Sequence, residues 1–172
     1  MPRTLSLAFL ALEDTAFLRR ENGENSPIVR HLARWLLRSG EKDADYLLKR
    51  SLLAWKLEYN LSRDDILTLY LNHIYLGGHS VGVNSAARFY FGINTAALST
   101  GQCALLAGLA RCPASCSPLR HPGRAKTRQM AVLDALRRLG WITSPEYARA
   151  ATEPMTHSAS PIEGWPTAER PE

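Results

Sequence analysis

Glu13 and Asp14 are adjacent carboxylates at the end of the apolar stretch Leu5–Leu12, and Phe17 follows three residues later. A carboxylate in apolar surroundings takes up a proton more readily than one in water, which suits a general base. A plain helix-end charge would have the same sequence, and periodicity alone does not separate the two. A second group is cationic. Arg30, Arg34 and Arg38 recur at i, i+4 and i+8, so one helix face would carry all three. That face can receive phosphate oxygens or simply meet solvent. Arg120, Arg124, Lys126 and Arg128 form a later basic cluster. Cys103, Cys112 and Cys116 are an odd count and do not read as a disulfide framework; each reads as a small apolar residue. Cys112 and Cys116 have no His or second Cys pair nearby to complete a zinc site. The five histidines are scattered, and His73 and His79 read as loop or surface residues.

Helices must position these groups. Leu5, Phe9, Leu12 and Ala16 recur at helical spacing, and Leu7, Ala8 and Leu10 make that helix apolar nearly all round, as in a buried element. Ser26-Pro27 opens a second helix to about Arg38. A third covers about Asp43–Asn60. Ser62 and Asp65 are spaced as a capping box for a helix from Arg63 to about Tyr75, which stops at Gly77-Gly78. Further helices cover about Val83–Phe91, Thr100–Arg111 (opened by a Ser99/Gln102 capping box), Arg124–Leu139 and Ser144–Ala151. No pair of segments alternates as strands do, so the predicted class is all-α in one domain, residues 1–151. Residues 152–172 read as a Pro-rich acidic tail without fixed structure.

The chain has 172 residues, 45% hydrophobic and 22% charged, which fits a folded domain that needs no disulfide or metal staple. Its net charge is +5, and the last 21 residues carry four acids and one base, leaving +8 on residues 1–151. A basic body suits an anionic partner: nucleic acid, a phosphate-bearing substrate or an anionic membrane surface. No apolar run approaches the ~20 residues of a membrane span. The first twelve residues look superficially like a signal peptide. Glu13 and Asp14 follow at once without a small-x-small cleavage site, so a buried helix is the better reading.

Three ordered segments go further. They are Leu12-Glu13-Asp14-Thr15-Ala16-Phe17; Leu57-Glu58 with the run Leu61–Asn72 and Gly77; and Ala104–Leu109 with Pro113, Ser117-Pro118, Ala125, Arg128 and Val132-Leu133. Together they resemble the family 51 glycosyltransferases, the peptidoglycan polymerase modules of bifunctional penicillin-binding proteins and of monofunctional transglycosylases. The resemblance covers about Leu5 to Ala151 and is most specific over Ser62–Gly77. It implies a lysozyme-like, mostly helical fold. It also implies transfer of a glycan from a polyprenyl pyrophosphate donor to the 4-hydroxyl of lipid II. Such transfer needs a base, charge compensation on the departing pyrophosphate and a groove that aligns both sugars.

By this resemblance Glu13 is the base, and Asp14 and Phe17 complete its motif. The next family motif, Gly-Gly-Ser-Thr-Ile-Thr-Gln-Gln followed by Lys, aligns with Asn25–Arg34. Ser26 and Ile28 match, Arg30 and His31 stand where the glutamines are, and Arg34 replaces the phosphate-binding Lys. Asn72 and Arg128 match late family positions, and Asn72 is expected to fix the fold near the site. The family's second essential Glu aligns with Arg50. That reverses a charge at the centre of the site, so Arg50 either offsets pyrophosphate charge itself or marks a degenerate site. The family's motif His becomes Arg20 and its Gly falls at Gly23. The segment between the first two motifs is shorter than in the family, and the usual membrane helix and penicillin-binding domain are not seen. Membrane contact would then come from apolar and basic surface.

The expected substrate-binding set is therefore Asp14, Phe17, Ser26, Arg30, Arg34, Arg50, Asn72 and Arg128, with no metal ligands. No cofactor is expected; metal dependence stays open, because many family members use a divalent ion, but loss of the second Glu removes an obvious ligand for it. The implied partners are lipid II or a related polyprenyl-pyrophosphate-linked glycan, a membrane surface and other cell-wall synthesis proteins, but no nucleic acid. The implied place is the outer face of the bacterial cytoplasmic membrane. Three alternatives stand beside catalysis: a non-catalytic lipid II- or partner-binding relative, a lysozyme-like lytic enzyme, and a helical DNA-binding domain. The last lacks a recognition helix rich in Arg, Asn and Gln.

Overall fold

The computed structural model describes residues 2–19, 26–37 and 43–155. Arg20, Gly23, Arg38 and most of the expected tail lie outside the described residues. Among the described residues eight α-helices follow in order: α1 Arg3–Glu13, α2 Pro27–Leu37, α3 Ala44–Asn60, α4 Arg63–His73, α5 Val83–Phe91, α6 Thr100–Leu109, α7 Pro122–Arg138 and α8 Ser144–Thr152. A single 3₁₀ turn, Thr95–Ala97, which periodicity does not foresee, links α5 to α6.

Local chemistry sets the helix ends. Asp43 caps α3 by accepting the Tyr46 N–H at 2.8 Å. Ser62 with Asp65 and Ser99 with Gln102 form the expected capping boxes of α4 and α6. A third box, Thr143 with Glu146, caps α8, which begins at Ser144 as the Ser-Pro signal indicates. The differences in length are small. The fourth helix stops at His73 because Ile74 turns to an extended conformation, and the sixth stops at Leu109 before the turn that carries Arg111. The fold also runs past 151: α8 ends at Thr152, and Met155 packs against the core.

The core forms around α6, whose residues Cys103–Leu109 are all buried. α1 and α7 pack on it, and α8 packs on α6 and α7. The all-round apolar character of α1 follows from that position: Leu5, Ala8, Phe9 and Leu10 are nearly inaccessible. α2 lies against α3 and α4, and α5 connects α4 to α6. Gly108 sits where α7 crosses α6, and a Cβ there would lie 3.1 Å from the Arg128 backbone. Gln129, also buried, donates to the Gly101 carbonyl at 2.9 Å and accepts from Lys126. Lys126 is therefore a brace between elements rather than a free member of the basic cluster.

The cysteine expectation is corrected. Cys112 and Cys116 form a disulfide in the loop after α6, while Cys103 is free and buried. A four-residue separation across a proline-containing turn brings the two Cα atoms to 5.3 Å, within disulfide reach. Burial pushes the Cys103 thiol up to about 12, so it remains an inert core residue.

Candidate active site

The cleft beside Glu13 begins with the clamp that fixes α2. Glu13 ends α1, and Asp14 leaves the helix at φ −162° and ψ 83°. The Asp14 carboxylate accepts the Ser26 hydroxyl at 2.8 Å. The Ser26 backbone N–H donates to Glu58 Oε1 of α3 at 2.9 Å. Ser26 also gives its carbonyl to Arg30, starting α2. One buried serine thus ties the ends of three elements, and buried charge-assisted bonds of this kind define orientation tightly. Phe17 is 1% exposed in the core, with the Arg63 guanidinium 5.4 Å from its ring and donating to its carbonyl. Asp14, Phe17 and Ser26 therefore face inward and hold the site's frame.

This frame aims α2 at Glu13. The Glu13 side chain is only 2% exposed, and Arg111 Nε donates to its Oε1 at 2.9 Å. Arg111 Nη2 also donates to the Leu12 carbonyl at 3.2 Å. His31 Nδ1 lies 3.9 Å from Glu13 Oε2. Glu13, His31, Arg34, Trp35, Tyr70 and His73 line one cleft of about 320 Å³. Its far wall is the loop after α4. Gly77 adopts φ +85°, and a Cβ there would come within 2.7 Å of the Pro113 carbonyl. Glycine lets that loop press on the disulfide loop, so Tyr75 and Pro113 both reach the cleft.

The electrostatics follow from burial and charge. Burial lowers the His31 pKa below 6.5, as do Arg34, Arg111 and Arg30, while Glu13 opposes the shift. His31 is neutral at pH 7 as a result. The hydrogen bond and charge of Glu13 hold the Arg111 guanidinium protonated still more firmly. Burial, with the Glu13 charge adding to it, raises Tyr70 well above its usual value, so its hydroxyl stays protonated. Tyr70 is packed edge-on against Phe9.

The remaining sequence-predicted residues are dispersed. Arg34 lies in the cleft, and Arg30 is exposed on the same helix. Arg50 is half-buried on the α3 face that carries Tyr46, Ala54 and Glu58, with its guanidinium 5.9 Å from the Tyr46 ring centre. It does not line the Glu13 cleft. Asn72 is exposed, and among the described residues its side chain makes no hydrogen bond. Its contribution is its backbone carbonyl, against which Gly82 packs so closely that a Cβ would lie 2.5 Å away. Arg128 spans α7 and α6, with Nε 3.4 Å from the Gly108 carbonyl.

Sequence reasoning missed Arg111, Tyr70 and the role of His73. His73 ends α4 and stacks on Trp35, with ring centres 4.0 Å apart, rather than lying idle at the surface. Two signals pointed to these residues. Arg111 is the first charge after the apolar run of α6, and Trp35 falls four residues after His31 on the face that carries Arg34. His79, at φ +59° in an exposed turn, is the loop residue that was expected.

Arg111 already occupies Glu13, and among the described residues no three His, Cys, Asp or Glu side chains group as metal ligands.

The comparisons with known proteins agree on this chain's kinship. A protein-family description, Transglycosylase, matches residues 19–137. Glu13, Asp14 and Phe17 precede that match. Penicillin-binding protein 1A of Aquifex aeolicus is 40% identical over 131 residues, which is 76% of this chain and 18% of that protein. A Cupriavidus necator protein, named provisionally as a transglycosylase, is 34% identical over 174 residues, covering 90% of this chain and 75% of its own length. The crystal structure of penicillin-binding protein 1A from Haemophilus influenzae superimposes with a TM-score of 0.56 at 27% identity, over 89% of this chain and 16% of that one. The chain therefore spans less than a fifth of the penicillin-binding protein 1A relatives it matches. The all-α, lysozyme-like architecture and the matched segment lead to one conclusion: the chain belongs to the transglycosylase family of peptidoglycan glycosyltransferases.

Proposed function

We propose that this chain polymerises peptidoglycan glycan strands from lipid II, with Glu13 as the base. The observation that carries the reading is one shielded carboxylate, Glu13, that shares a cleft with Arg34 and is paired at 2.9 Å with Arg111. The carboxylate takes the proton of the acceptor 4-hydroxyl as its oxygen bonds to the donor sugar's anomeric carbon. The bond from that carbon to the pyrophosphate oxygen breaks, and its electron pair leaves with the pyrophosphate. The guanidiniums of Arg34 and Arg111 offset that charge. Arg50 acts at a distance from the cleft, as part of the α3 support.

Two further observations support contact with the outer face of the cytoplasmic membrane. Leu48, Leu52, Trp55 and Tyr59 form an exposed stripe on α3, with Trp55 stacked on Tyr59 and Lys49 and Lys56 beside them. Aromatic and basic side chains on one apolar stripe suit an anionic bilayer interface. The Cys112–Cys116 disulfide suits an oxidising compartment. No helix among the described residues is long and apolar enough to cross a membrane.

The test is incubation of the purified chain with lipid II in detergent or vesicles. Wild type is expected to yield polymer, and Glu13→Gln is expected to lose at least ~100-fold in rate. Equal inertness of the two proteins would overturn the catalytic reading.

A second reading is favoured by one observation: the close pairing of Arg111 with Glu13 keeps the base engaged. In that reading the site is degenerate and the chain binds lipid II without turnover. Saturable binding of lipid II, or of a moenomycin-type pyrophosphate mimic, with no polymer from wild type or from Arg50→Glu, would establish it.

A further inference from the structure

We propose that His31 is the proton relay of this site, carrying the proton received by Glu13 out to solvent. The inference rests on the reading of Glu13 as the base. A base shielded from water has to discharge its proton before the next turnover. The Glu13 side chain is 2% exposed, and Arg111 Nε donates to its Oε1 at 2.9 Å. Arg111 cannot take the proton, because it already carries a full complement. Tyr70 is kept protonated by burial and by the Glu13 charge. His31 differs from both. It is 43% exposed, lines the same cleft and has Nδ1 3.9 Å from Glu13 Oε2. A shift of about 1 Å would bring that pair to hydrogen-bond distance.

The charged and titratable groups around His31 come from every neighbouring element. They are Glu13 from α1, Arg30 and Arg34 on its own helix, Tyr70 and His73 from α4, Tyr75 in the loop after α4, and Arg111 after α6. The cations and partial burial keep the ring neutral at pH 7, so it has a lone pair with which to accept. The step balances. Glu13 gives its carboxyl proton to Nδ1, forming an imidazolium, and the Nε2 proton then passes to water. This restores the carboxylate and leaves a neutral ring protonated at Nδ1, and proton exchange of the exposed ring with water returns it to the Nε2–H tautomer. By the family resemblance an amide side chain stands at this position, and an amide cannot accept a proton at these pH values.

The experiment has two arms on the full chain. In the first, the His31 ring is followed by NMR pH titration in wild type and Glu13→Gln. Its midpoint is expected to fall in the variant, because the Glu13 charge that raises it is gone. An unchanged midpoint would overturn the coupling. In the second, lipid II polymerisation is measured against pH for wild type, His31→Gln and His31→Ala. Wild type is expected to lose rate on an acidic limb that follows the His31 titration, below 6.5. His31→Gln should lower kcat by roughly tenfold or more at unchanged KM and move that limb. His31→Ala should recover rate with added imidazole. An active wild type whose pH profile and kcat survive both substitutions would overturn the relay alone. An inert wild type would overturn the underlying catalytic reading, and the relay with it.

Discussion

Replacing Ser26 by Ala isolates the clamp on which the cleft depends. The hydroxyl is buried and donates to the Asp14 carboxylate at 2.8 Å, while the Ser26 N–H to Glu58 bond is a backbone contact that the substitution leaves in place. A hydrogen bond to a charged group contributes ~1.5–3 kcal/mol. For a chain of this size each kcal/mol moves Tm by about 2–4 °C, so Ser26→Ala should lower Tm by about 3–12 °C. The urea midpoint should fall with the slope of the transition unchanged. Ser26→Thr keeps the hydroxyl and should recover most of the loss. In a double-mutant cycle with Asp14→Asn, the two changes should interact by at least ~0.5 kcal/mol. A Tm within about 1 °C of wild type, or fully additive effects, would refute the clamp argument. Because α2 carries His31 and Arg34 to Glu13, lipid II polymerisation should fall with stability and return in Ser26→Thr.

Three further outcomes follow from the same geometry. Gly77→Ala should destabilise by ~1–3 kcal/mol, because φ +85° strains an L side chain and its Cβ would meet the Pro113 carbonyl; denaturant unfolding would measure it, and a neutral result would contradict the loop packing. Arg111→Met should cost about 1–3 kcal/mol in stability, because it removes the partner of a Glu13 side chain that is 2% exposed, while the 57% exposure of the arginine keeps the loss below that of a fully buried pair. Urea unfolding would check that value, and a cost above ~3 kcal/mol would point to a buried pair instead. For His31, whose pKa is lowered in the folded state, the unfolded chain binds more protons at and below pH 6.5. Stability should therefore fall as pH drops through that value, and the fall should be smaller in His31→Gln; identical Tm profiles from pH 7.5 to about 5 would refute the assignment.

Much of the fold was legible because its signals are local. Ser62 with Asp65 and Ser99 with Gln102 each satisfy a helix end within a span of four residues, so the sequence displays both partners side by side. Apolar recurrence at 3.6 residues identified α5 at its observed bounds and the others to within a few residues. The Cys112–Cys116 pairing was missed although the residues are close in sequence. An odd cysteine count does not say which one stays buried in α6, and only the packing of Cys103 settles that.

By itself the sequence determined an all-α chain with a basic body, a Glu-Asp pair ending an apolar helix, and the motifs of a transglycosylase. Those properties reside in composition, period and short-range order. Tertiary structure decided which charges meet. Glu13 and Arg111 are 98 positions apart, and Ser26 and Glu58 are 32 apart. The first pairing exists because α6 packs against α1, which brings the turn after α6 to the end of α1. The same packing leaves Arg50 out of the cleft and brings His31 in. A helix fixes only the relative directions of its own side chains, and the angle at which it docks on its neighbours decides what they face.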